Sequence, residues 1–177
     1  MSFPFSQSST LAAIAAATAF VAGCASAPSS IGQSEGTIYT VTVKNDMAAE
    51  RLAPILIVGD ADDAKIWVGR YVSKEARTQF TTGNPDPLAL QLGGDQGQPG
   101  KLPSKSEITF TFKTKAATAR ITAMVHPDIT PDNYVTAKLD LSKPGTIALE
   151  RFDIGDDEKR MTVERVGQVG TVTFSTK

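Results

Sequence analysis

Apolar and polar side chains alternate at every second position through much of this chain, the period of a strand with one face buried. In residues 37–43, Tyr39, Val41 and Val43 alternate with threonine. In residues 106–113, Ile108, Phe110 and Phe112 alternate with Thr109, Thr111 and Lys113 without a break. Further strands are expected over residues 120–125, 134–139, 146–149, 161–164 and 170–174. Residues 52–58 read differently, as a nearly continuous apolar strand, with Pro54 expected at its start or on a sheet edge because it has no N–H for a ladder. A short strand over 65–69 carries Trp67, the only tryptophan, whose default place is the core.

The helical period is confined to one region. Ser73 predicts an N-cap for a helix through Phe80, with Lys74 and Glu75 in its first turn. Asn84-Pro85-Asp86 predicts a second start: Asn84 as cap, Pro85 at the first helical position, and Asp86 near the positive end of the helix dipole. Leu88, Leu90 and Leu92 supply an apolar side, and Gly93-Gly94 a stop. Residues 93–105, rich in Gly, Pro and Gln, read as a loop. Eight or nine short strands with one helical interruption predict an all-β fold. The expectation is an antiparallel β-sandwich with a short helical insertion between early strands, occupying residues 37–177 as one domain.

Composition then excludes several functions. A net charge of −1 and the absence of any Lys/Arg run give no electrostatic basis for binding nucleic acid. One histidine, His126, is too few for a zinc site, and its place beside Pro127 suits a strand end better than a general base. No Gly-x-Ser-x-Gly elbow and no glycine-rich phosphate loop opening a helix occur, so the chain reads as non-enzymatic.

The single cysteine, Cys24, permits no internal disulfide, and its position gives it another meaning. Residues 11–23 form an alanine-rich apolar run ending in Val21-Ala22-Gly23, the length of a signal-peptide core and too short to span a bilayer, which takes about 20 residues. Ala-Gly-Cys at its end resembles a bacterial lipobox, in which the thiol is acylated and becomes the new N-terminus. The alternative is an ordinary secretory signal cut near Ala27, with Cys24 discarded. On the first reading residues 1–23 are signal peptide and 24–36 a flexible tether. The protein would then reside in the cell envelope as an outer-membrane lipoprotein held through its lipid anchor. On the second it would be secreted or periplasmic.

Two acidic turns each follow a strand-like run. One is His126-Pro127-Asp128-Ile129-Thr130-Pro131-Asp132-Asn133. The other, Asp153-Ile154-Gly155-Asp156-Asp157-Glu158, packs four carboxylates into six residues. Both are expected at one end of the sandwich. A hard cation such as calcium takes six to eight oxygen ligands, which carboxylates and backbone carbonyls from two adjacent loops can supply. A merely solvated acidic loop is the alternative. A third acidic segment, Asp60-Ala61-Asp62-Asp63, begins like an EF-hand loop, but Lys65 stands where glycine is required and Tyr71 where the final glutamate belongs. It reads as a solvated turn.

From Tyr39 to Glu158 the chain resembles the spondin N-terminal domain in the form found in bacterial exported proteins. The resemblance rests on the order of Val41-Thr42-Val43-Lys44-Asn45, the Leu-x-Pro strand Leu52-Ala53-Pro54, Ile66-Trp67-Val68-Gly69, and Gly83-Asn84-Pro85-Asp86-Pro87-Leu88. It continues through a Thr-Phe strand opened by Leu102-Pro103, then Ala123-Met124-Val125-His126-Pro127 and Phe152-Asp153-Ile154-Gly155-Asp156-Asp157. The resemblance implies a sandwich with a metal site at one loop end, and by position Asp132, Asp153 and Asp157 as its ligands. In animal relatives the module serves extracellular adhesion. The sequence-based expectation is therefore an exported binding or adhesion module with a calcium site, meeting a surface polysaccharide or protein. The alternative is a self-assembling structural envelope protein without metal.

Overall fold

The computed structural model describes residues 36–126, 133–154 and 163–177. Strands β1 (Thr37–Asn45) and β2 (Arg51–Gly59) come first, followed by a short helix α1 (Asp63–Ile66) and a two-by-two-residue hairpin, β3 (Trp67–Val68) and β4 (Tyr71–Val72). Helices α2 (Lys74–Thr82) and α3 (Asp86–Leu92) complete the insertion. The chain continues as β5 (Gln96–Leu102), β6 (Ser106–Thr114), β7 (Thr118–His126), β8 (Asn133–Asp140), β9 (Gly145–Asp153) and β10 (Glu164–Thr176). Eight of these strands form one sheet in the order β5-β2-β7-β8-β9-β10-β1-β6, every neighbouring pair antiparallel. The all-β architecture with a helical insertion is as the periodicity predicts. The eight-stranded sheet curls until its end strands β5 and β6 come into contact, giving a nearly closed, sandwich- or barrel-like fold beside the small β3–β4 sheet.

Side chains replace the missing ladder at that seam. Asp95, just before β5, accepts from Thr114 Oγ1 of β6 at 2.7 Å and from the Lys115 amide at 3.1 Å. Gly97 lets β5 lie close on β2, since a Cβ there would lie 3.0 Å from Ile57 Cγ2, while Phe112 Cδ2 of β6, at 3.8 Å, would be in ordinary contact. The loop expected over residues 93–105 is thus largely a strand. Its residues contribute backbone pairing to β2 rather than an apolar face, so no side-chain alternation reveals it.

Two apolar clusters lie on opposite faces of the sheet. Inside the curl are Val41, Val43, Leu52, Ile55, Ile57, Ile121, Val135, Leu139, Leu149 and Val172. Outside, beneath the helices, lie Leu56, Val58, Ile66, Phe80, Leu88, Tyr134 and Ile154. β2 contributes to both, which is the physical reason its apolar run is nearly continuous. Pro54 sits within β2, not at its start or on an edge. The ladders to both neighbouring strands shift register around it, between Leu52 and Ile55 on one side and Leu52 and Leu56 on the other, so its missing N–H interrupts pairing where pairing is already irregular.

The helical insertion starts and stops by ordinary capping chemistry. Ser73 Oγ accepts from the Ala76 amide, and Gly83 closes α2 at φ 74°. Asn84 Oδ1 accepts from the Asp86 amide, so α3 begins at Asp86, one residue later than the sequence suggests, with Pro85 outside it. Gly93 and Gly94, both at positive φ, end it as expected.

The acids of residues 60–63 hold this layer to the sheet. Asp60 takes a positive φ of 44°, and its carboxylate accepts from the Ala117 amide and from the amide and hydroxyl of Thr118. Asp62 caps α1 through the Ala64 amide. Asp63 accepts two hydrogen bonds from Arg120 and one from Lys138. Burial works to raise the Asp63 pKa, but the hydrogen bonds from Lys138 and Arg120 prevail and hold it below the ordinary carboxylate range. Arg120 also lies 4.9 Å over the Trp67 ring, and Trp67 Nε1 donates to Tyr134 Oη at 2.8 Å. Tyr134 stacks on Phe80 at a centroid distance of 3.9 Å. Burial pushes its hydroxyl up to about 12, against the opposing effects of Trp67 and Arg120. Trp67 itself is half-buried at the edge of this cluster rather than central.

Candidate functional site

The register of β8 on β9 fixes what can meet at one end of the sheet. Asn133, the first residue of β8, lies directly opposite Asp153, the last of β9. The segment joining β7 to β8 and the segment joining β9 to β10 therefore leave the described fold from adjacent points. Asp153 is half-buried and shares the inward parity of Leu149 and Arg151. Asp132 and Asp157, and Cys24 in the leader, lie outside the described residues. Among the described residues no group of three or more His, Cys, Asp or Glu side chains is arranged to hold a metal.

What braces this end is a polar plug that no sequence motif announces. Arg151 Nε donates to Asn133 Oδ1 at 2.6 Å, and Arg151 Nη1 to Glu50 Oε2 at 2.7 Å. Both charged side chains are largely withdrawn from water, at 11% and 14% exposure. The loop bearing Glu50 is itself held by Asn45, which is fully buried. Asn45 Nδ2 donates to the carbonyls of Glu50 and Pro103, and its Oδ1 accepts from the Met47 amide. The reason lies in geometry. The inner apolar cluster stops at Val135 and Leu149, and the next inward positions, Asn133 and Arg151, close the mouth with groups that satisfy each other.

A cation bound at this end would neighbour the Arg151 side chain, two residues from Asp153 on the same strand face. The guanidinium of Arg151, which would otherwise repel one, already has its charge balanced by Glu50. The Asn133 amide oxygen is committed to Arg151, and of the three ligands that the spondin resemblance implies, Asp132, Asp153 and Asp157, only Asp153 is among the described residues.

His126 is the last residue of β7, paired with Arg51 of β2, which matches its reading as a strand-end residue. Its outward parity carries it to a cleft of about 260 Å³ between the sheet and the end of α2. No sequence motif announces that cleft. The available signal was parity: Arg51 and His126 each lie one position from a core-facing residue, Leu52 and Val125, at ends of strands that pair.

No protein-family model matches this chain, and no curated protein matches it.

Proposed function

We propose that this chain is an exported, lipid-tethered, non-enzymatic binding module whose acidic sheet end meets a polysaccharide or protein at the cell surface. Calcium bridging Asp132, Asp153 and Asp157 orders the two turns and completes the binding surface. The observation that carries this reading is the pairing of Asn133 with Asp153, which sets the exits of the two acidic segments side by side on a braced sheet. The resemblance to spondin-type modules supports an adhesive role by analogy of fold alone. The self-assembly alternative calls for an open strand edge, and the mutual approach of β5 and β6 counts against it.

The metal is tested by melting the purified protein in chelator and then in ~1 mM calcium. Occupancy at a hundredfold excess over Kd stabilises by about 2.7 kcal/mol, which raises the midpoint of a domain of this size by roughly 5–10 °C. An unchanged midpoint would leave the three aspartates as solvated turn residues and remove calcium from the proposal.

The tether is tested separately. Cys24→Ser is expected to move the protein from the membrane fraction to the soluble fraction on cell fractionation. Retention at the membrane would eliminate the lipid anchor.

A further inference from the structure

The cleft beside His126 has a chemistry of its own. Its floor is apolar, made by Ala53, Pro54 and Met124, and its rim carries Arg51, Lys101 and His126. These three come from neighbouring strands β2, β5 and β7, brought to one end by register. Because Leu52, Leu102 and Val125 point into the inner core, the flanking Arg51, Lys101 and His126 project to the outer face together. Among the described residues no carboxylate lines the cleft. Among the described residues neither Arg51 nor Lys101 is engaged in an ion pair, whereas Arg120, Arg151 and Arg165 are. His126 Nδ1 is buried and has no hydrogen-bond partner among the described residues. A buried ring nitrogen without a partner costs free energy, which a ligand at this place would recover.

We infer that this cleft binds a small organic carboxylate with a compact apolar body, the body on Met124 and Pro54 and the carboxylate between Arg51, Lys101 and His126. Size sets the class. A volume of about 260 Å³, that of roughly eight or nine waters in the liquid, takes a small ring or a short chain whole. Charge sets the sign. The end of α2, at Thr82 and Gly83, contributes about half a negative charge at most, against the two cationic side chains of Arg51 and Lys101. The apolar floor separates this site from a simple phosphate site, which needs donors rather than Ala, Pro and Met. The inference is independent of the calcium reading, since none of the three aspartates takes part.

The test is an amide NMR titration of the purified protein with benzoate, with neutral benzamide and with inorganic phosphate. Benzoate is expected to shift the amides of Thr82, Gly83, Met124 and His126 saturably, in the millimolar range suited to so small a ligand. Benzamide, which keeps the apolar body and lacks the charge, is expected to bind about tenfold more weakly or worse. Arg51→Gln with Lys101→Gln should weaken benzoate by a similar factor while leaving the melting midpoint unchanged, since both side chains are exposed. Equal binding of benzoate and benzamide would overturn the inference. So would benzoate binding that survives the double substitution, phosphate binding tighter than benzoate, or no saturable shift at all.

Discussion

Arg151→Met is expected to destabilise the protein by about 3–5 kcal/mol, because it leaves the Glu50 carboxylate buried without its partner. It also strips Asn133 Oδ1 of the Arg151 Nε–H that it accepts at 2.6 Å. At the sensitivity of a domain this size, the midpoint should fall by roughly 10 °C. Chemical reasoning also predicts the remedy. Glu50→Leu combined with Arg151→Met removes both charges, and replacing a buried ion pair by apolar groups of similar volume is close to neutral. The double variant should therefore recover most of the loss, retaining a deficit of about 1 kcal/mol for the Asn133 amide. Denaturant melts of the two single variants and the double variant measure the coupling directly. Additive losses would mean that the two charges at the sheet mouth are each solvated and that no plug exists.

Gly170→Ala carries the second large expectation. Gly170 lies opposite Asn45 in the β1–β10 ladder, just beyond a register shift at Gln168. A Cβ there would stand 2.0 Å from the carbonyl oxygen of Lys44 and 3.1 Å from its carbon. The obstacle is main chain within a paired strand and cannot rotate away, so β1 and β10 must part. The bond from the Asp46 amide to the Val169 carbonyl would be strained with them. The loss is expected to reach about 3 kcal/mol or more. Gly145→Ala is the matched control, since its nearest neighbour would be 3.9 Å away. That change should be neutral or slightly stabilising, by up to about 1 kcal/mol. Similar urea midpoints for the two variants would show that β10 yields at Gly170.

Most strands were legible because their inner faces are apolar at period two. Ser106–Thr114 and Thr118–His126 differ from the predicted spans only at their ends. β5 was not legible: in Gln96–Leu102 only Leu102 is fully withdrawn into the core, and the rest pairs through backbone. Of β10 only residues 170–174 were legible, because its bulges, between Arg165 and Gly167 and between Gln168 and Gly170, break the alternation without breaking the strand; the strand expected over 161–164 begins outside the described residues. The candidate site divides in the same way. The neighbouring exits of the two acidic segments follow from strand order, which periodicity allows one to guess. The Arg151–Glu50 pair and the cleft at Arg51, Lys101 and His126 depend on contacts between residues far apart in sequence, and no local pattern encodes those.

The place of β1 between β10 and β6 has a consequence for the order in which the molecule can assemble. Tyr39 pairs with Thr176, so the first strand of the described fold awaits its last. While the chain emerges from its N-terminus, β1 can acquire β6 on one side but presents a bare row of amides and carbonyls on the other. Joining ends so distant is entropically slow compared with closing the hairpins β7–β8 or β8–β9. During that interval the unfinished edge is open to strands of neighbouring chains. A binding chaperone that shields β1 until β10 is available would therefore raise the yield of folded protein without changing its final stability.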